Sequence, residues 1–182
     1  LDEVRVTATL CASDEDRMEQ LDVSLDRSGG TVELDTDYPS GDGGWVGNNG
    51  YARIDLVVEV PRGMAADIDD SSGGMELMGM GAPTIDDSSG EIDVVGVVGS
   101  VHIDDSSGSV SVQDVSGDVD IEDGSGEIDV EDVRGSVLLS DGSGSLDVTG
   151  VTGDVRVTRD GSGSIEVSGV GGDFVVERDG SG

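Results

Sequence analysis

Lysine is absent from this 182-residue chain, whose nine basic residues are all arginine against 41 acidic ones, for a net charge of −32. Nucleic-acid binding depends on neutralising phosphates with Lys and Arg, and adsorption to anionic lipid needs the same charges. Neither partner is expected. Aromatic residues number four: Tyr38, Trp45, Tyr51 and Phe174. A globule of this length normally anchors its core on several large rings, so a conventional compact core is unexpected. Cys11 is single, which excludes an internal disulfide, and in a strand-like segment it reads as a packed thiol. No apolar run approaches the roughly 18 residues of a membrane span, since the stretch 56–60 already contains Glu59. No signal-peptide pattern is present and the first residue is not Met, so the chain reads as a mature or trimmed form.

What is present is glycine (31 residues) and a 34% apolar content rich in valine. That apolar content argues against full disorder despite the charge. From Ile68 onward one phrase recurs. Ile85-Asp-Asp-Ser-Ser-Gly-Glu-Ile-Asp-Val94 is followed by Ile103-Asp-Asp-Ser-Ser-Gly-Ser-Val-Ser-Val112, then by Ile121-Glu-Asp-Gly-Ser-Gly-Glu-Ile-Asp-Val130 and Leu139-Ser-Asp-Gly-Ser-Gly-Ser-Leu-Asp-Val148. Asp70, Asp87, Asp105, Asp123, Asp141, Asp160 and Asp179 recur at intervals of 17, 18, 18, 18, 19 and 19 residues. Each is followed two residues later by Ser and then by Gly.

Every repeat holds two halves of about nine residues, each an alternating polar–apolar stretch opened by Gly. Alternation with β-branched residues is a strand signal, and no i, i+3, i+4 pattern competes with it. Short, evenly spaced strands also suit an antiparallel sandwich. Near-identical repeats favour a coil instead, because each copy meets the same neighbours. The expected fold is an all-β parallel β-solenoid (β-helix) with coils of roughly 18 residues, right-handed by the crossover rule. The inward positions are Ile92, Val94, Val97, Val101 and Ile103 in one coil. In the next they are Val110, Val112, Val115, Val119 and Ile121, and then Ile128, Val130, Val133, Val137 and Leu139. Five small aliphatics cannot offset the ordering of a whole coil, so coils are stable only when stacked.

Residues 1–63 differ. The stretches 4–10, 21–25, 31–35 and 53–60 alternate like strands, but their connections are longer and irregular. They read as an irregular β-rich leading segment, expected as irregular coils continuous with the regular repeats of residues 64–182. The glycine-rich stretch 40–50 (SGDGGWVGNNG) carries the one Trp, Trp45, which reads as a plug over the solenoid's end or a pack against its first coil.

The pairing of Leu56-Val-Val-Glu-Val-Pro-Arg-Gly63 with recurring Asp-x-Ser-Gly coils resembles a bacterial family of adhesin-like cell-envelope β-solenoid repeat proteins, a domain of unknown function. In that family a strand ending in Pro-x-Gly precedes a run of Ser-Gly-Asp/Glu-Ile coils. The resemblance spans about Asp2 to Gly182. It implies a repetitive solenoid exported to the cell envelope or the extracellular space, with no catalytic residues to carry over.

The aspartate column is the most chemical feature. Carboxylates stacked about 4.8 Å apart repel by about 0.9 kcal/mol per neighbour even in water, so something offsets them. In one reading each Asp accepts the N–H two residues on, forming an Asx-turn. In the other, calcium, which takes six to eight oxygens, sits among Asp70, Asp86, Asp87, Asp104, Asp105, Asp123 and Asp141. The Gly-Gly-x-Gly-x-Asp nonapeptide of calcium β-rolls is missing, and the second acid of each pair fades to Ser140, Arg159 and Arg178.

No enzyme is expected. His102 is alone, and its setting in Ser100-Val-His-Ile103 points it outward beside Thr84 and Asp120. Asp70-Ser-Ser-Gly-Gly74 looks faintly like a serine nucleophile loop, but it recurs as Asp87-Ser-Ser-Gly90 with no histidine in constant relation to it. Turns such as Asp141-Gly-Ser-Gly144 lack the following helix and the lysine of a phosphate cradle.

The expected role is a non-enzymatic cell-envelope or extracellular structural and interaction protein, an adhesin or filament subunit. It would self-associate head-to-tail through an open terminal rung at Gly182 and engage a surface protein or carbohydrate. A calcium-stabilised secreted β-roll-like module and a carbohydrate-active β-helix enzyme are the alternatives. Acidity without lysine also fits adaptation to high salt.

Overall fold

The computed structural model describes residues 3–38 and 50–180. Trp45 with most of its glycine-rich stretch, and the terminal Gly182, lie outside the described residues. The chain divides into two compact units, Leu1–Pro61 and Arg62–Gly182.

In the first unit, β1 (Arg5–Ala12) is followed by a single helical turn, α1 (Glu15–Met18), and by β2 (Asp22–Ser28), β3 (Thr31–Asp37) and β4 (Ala52–Glu59). The expectation of irregular coils is corrected here. β1 pairs antiparallel with β4, and β2 antiparallel with β3. A tight Gly29-Gly30 connection joins β2 to β3, with Gly29 at φ +62°, and two-residue turns of this kind return a strand onto its neighbour rather than advancing it one rung. The helical turn went unread in the sequence although its signal is there. Asp14 caps it by accepting the Arg17 N–H at 3.0 Å, with Glu15 and Asp16 in its first turn, the charge a helix N-terminus favours.

The second unit is the solenoid. Its regular half-repeats alternate between two parallel sheets. The seven-stranded sheet stacks β5 (Ala66–Asp70), β7 (Pro83–Asp87), β9 (Val101–Asp105), β11 (Val119–Asp123), β13 (Val137–Asp141), β15 (Val155–Asp160) and β17 (Phe174–Val176). The six-stranded sheet stacks β6 (Gly73–Met78), β8 (Gly90–Val95), β10 (Gly108–Val115), β12 (Gly126–Val133), β14 (Gly144–Thr149) and β16 (Gly163–Ser168). Pairing is in register by repeat position: Ile103 lies beside Ile121, and Ile121 beside Leu139. The fifteen aliphatics assigned inward from the sequence are all at most 1% exposed.

The uneven intervals have local causes. The 19-residue step from Asp141 to Asp160 contains a bulge after Leu139, where Ser140 pairs with Arg159 and skips Thr158. Thr158 is accommodated by donating its hydroxyl to the Leu139 carbonyl at 3.1 Å. A bulge of this kind adds one residue without changing the faces of those that follow.

Candidate functional site

Strand alternation decides where each acid of a doubled pair points. In β9, Val101, Ile103 and Asp105 share the buried face, and His102 and Asp104 share the exposed one. The recurring aspartate is therefore part of the interior: Asp87, Asp105, Asp123, Asp141 and Asp160 are between 1% and 7% exposed. The inward set read from the sequence stopped one alternation too early, at Ile103, because a carboxylate was not considered for a core position.

One oxygen is engaged in four of these five buried carboxylates. Asp87, Asp105, Asp123 and Asp141 accept through Oδ1 the backbone N–H of Ser89, Ser107, Ser125 and Ser143 at 3.0–3.2 Å, which is the Asx-turn geometry. The turn it closes leads into Gly90, Gly108, Gly126 and Gly144, each at φ between +151° and +158°. The Oδ2 atoms of these four residues and both oxygens of Asp160 are buried with no hydrogen-bond partner. Burial raises the carboxyl pKa of Asp87, Asp105 and Asp141, opposed by the serine N–H bonds and reinforced by neighbouring carboxylates. Asp123, with Asp105 on one side and Asp141 on the other, is pushed up to about 6, burial again being the largest cause.

Of the seven residues singled out for calcium, Asp70, Asp87, Asp105, Asp123 and Asp141 occupy this one column. Asp86 and Asp104 stand on the opposite, exposed face, paired with each other. Asp70, at the outer end of the column, accepts the N–H of Ser71 at 2.9 Å. Among the described residues no group of three or more His, Cys, Asp or Glu side chains is arranged to hold a metal ion.

A second column was missed in the sequence. Ser100, Asp118, Ser136, Asp154 and Asp173 precede successive strands of the seven-stranded sheet, and each of the first four accepts the backbone N–H of the next. The oxygens reach across one coil at 2.8–3.2 Å. Alternating Ser with Asp supplies the acceptors without placing carboxylates side by side until Asp154 meets Asp173. The signal was the recurring Gly-Ser/Asp-Val before these strands.

His102 is exposed between Thr84 and Asp120, as read, with Nδ1 3.5 Å from an Asp120 carboxylate oxygen. It lies in an open groove of about 380 Å³ with Ser100 and Asp118. Cys11 is a free, partly exposed thiol.

The Asx-turn assignment has a direct check. Asp105→Asn keeps the oxygen that accepts the Ser107 N–H, so its melting temperature should stay within a few degrees of the parent at pH 7. Asp105→Ala leaves that N–H without its acceptor, a loss of about 1–3 kcal/mol, and should melt clearly lower. A chelator should leave the parent unchanged. A fall of more than about 10 °C on chelation, roughly 2 kcal/mol or more at this size, would point to calcium instead.

A family model described as Toastrack DUF4097 matches residues 2–181. No curated protein and no solved structure matches the chain.

Proposed function

This chain belongs to the Toastrack DUF4097 family, a domain of unknown function, and from its solenoid we propose that it is a non-enzymatic structural and interaction module of the cell envelope or extracellular space, working as an adhesin or filament subunit. The supporting observation is the outward row of the six-stranded sheet. Glu76, Asp93, Ser111, Asp129, Asp147 and Glu166 stand in register on consecutive rungs. Side chains repeated at the rung spacing of about 4.8 Å suit many weak contacts along one partner, where a catalytic site needs a single unlike cluster. The partner is a surface protein or carbohydrate outside the chain.

Self-association is the second part of the proposal. Every rung of the solenoid pairs in parallel register with its neighbours, so an end rung of one copy would stack on an end rung of another. Contacts of that head-to-tail kind build filaments. The net charge of −32 opposes them, and salt screens exposed charges over about 10 Å at 0.1 M. Light scattering of the full chain across a salt series should therefore show association growing with ionic strength. A strictly monomeric chain at high salt and high concentration would remove the filament role. Protease treatment of intact producing cells tests the location separately: digestion of the protein supports surface display, and full protection on intact cells with digestion after lysis refutes it.

A further inference from the structure

The interior carries a row of ionisable groups that the proposed role does not use. Asp87, Asp105, Asp123, Asp141 and Asp160 end successive strands β7 to β15 and face the aliphatic core. Each has at least one carboxylate oxygen buried without a partner. A buried, unpaired carboxylate is among the most costly groups a protein can hold. It needs a compensating cation, or it must become neutral. Among the described residues no basic side chain lies within hydrogen-bonding reach of these oxygens, and no metal-holding cluster exists. Those oxygens are closed to solvent, which leaves the proton as the cation small enough to reach them without opening the coil.

We propose that Asp87, Asp105, Asp123 and Asp141 of this column form a proton-binding spine, in which consecutive buried carboxyls take up protons from solvent on their unpartnered oxygens as the coils stack and release them as the coils loosen. The solenoid then tightens in mild acid. One O–H bond forms for each proton taken up, and the acceptor role of Oδ1 toward the serine N–H is untouched.

The groups acting on the column are few. Asp87 feels Asp70 along the stack and Asp86 beside it on its own strand. Asp105 feels Asp87 and Asp104. Asp123 feels Asp105 and Asp141. Asp141 feels Asp160 and, with opposite effect, the exposed Arg159. The facing strands β10 and β12 present Val110, Val112, Ile128 and Val130 inward, and none of these titrates.

The sign follows from linkage. A carboxyl that titrates near 3.8 in the unfolded chain and near 6 when folded holds more protons in the folded state between those values. Stability therefore falls as pH rises through that window, and the favourable contribution is complete only toward its acid end. The melting temperature should therefore climb as pH falls below about 7, and most steeply below the folded value near 6.

Carbon-detected NMR of side-chain carboxyls in the full chain, titrated from pH 8 to 3.5, tests the proposal. The Asp123 carboxyl, identified by its loss in Asp123→Asn, should show a midpoint near 6. Asp87, Asp105 and Asp141 should titrate above the usual aspartate range. The melting temperature should rise by several degrees between about pH 7 and 4.5. That rise should shrink in Asp123→Asn and persist in Asp104→Asn. Column carboxyls titrating within the usual aspartate range, or a flat melting temperature over that interval, would overturn the spine. Should Asp123→Asn not fold, the same comparison is read on the parent from Asp105 and Asp141, using Asp105→Asn and Asp141→Asn for identification.

Discussion

Gly126→Ala should abolish the cooperative melt of the solenoid, the largest effect expected of any single methyl group in this chain. Gly126 lies at φ +156°, and a Cβ there would fall 1.5 Å from the Gly108 carbonyl oxygen of the previous coil and 2.7 Å from its carbon. The obstacle is backbone, which cannot rotate aside as a side chain can. Relief requires separating two rungs and losing the Gly108 N–H bond to the Ser125 carbonyl at 3.0 Å. The same approach recurs along the column: Gly108 against Gly90, Gly144 against Gly126 and Gly163 against Gly144, all at 1.4–1.7 Å. A cost above about 4 kcal/mol is expected, the range kept for core and backbone disruption. Gly30→Ala is the control, since nothing lies within 4 Å of its Cβ position. Thermal melts followed by circular dichroism should separate the two variants by more than 10 °C. Equal melts would mean that the turn relaxes in a way the rung spacing does not permit.

Val119→Asp should be comparably severe for a different reason. Val119 is 1% exposed and stacks between Val101 and Val137, so the new carboxylate would have no Asx-turn donor of the kind that holds Asp123. Burying an unpaired charge, or holding it neutral at pH 7, should unfold the coils on either side. The same substitution at outward Ser111 meets only Asp93 and Asp129 on neighbouring rungs. That costs about 0.9 kcal/mol for each neighbour at water's dielectric constant. Circular dichroism should show lost β signal for Val119→Asp and a nearly native spectrum for Ser111→Asp. Equally mild outcomes would contradict the inward assignment.

The solenoid was legible because repetition turns one local inference into many. A single Gly-Glu-Ile-Asp-Val stretch is compatible with any half-buried strand. Its return every 18 residues forces equivalent residues into equivalent surroundings, which only stacking satisfies. The aliphatic interior followed from alternation alone. The leading segment was less legible because alternation reports a strand and not its partner. Nothing in residues 5–12 states that they pair antiparallel with residues 52–59, forty or more positions away. The Ser/Asp column beginning at Ser100 was present in the sequence as a strict pattern, but its meaning depends on an N–H one coil distant.

By itself the sequence determined the period, the sheet-forming faces, the small aliphatic core and the turn chemistry of Asp-x-Ser-Gly, because each depends on contacts between near neighbours or between identical repeats. Tertiary structure alone decided that the repeated aspartate faces inward with an oxygen left bare, and that the leading strands form antiparallel ribbons. It also decided that glycine at the strand start is required by the backbone of the previous coil. These features depend on what lies one rung away or across the interior, where burial, and not residue type, sets the cost of a charge or a methyl group.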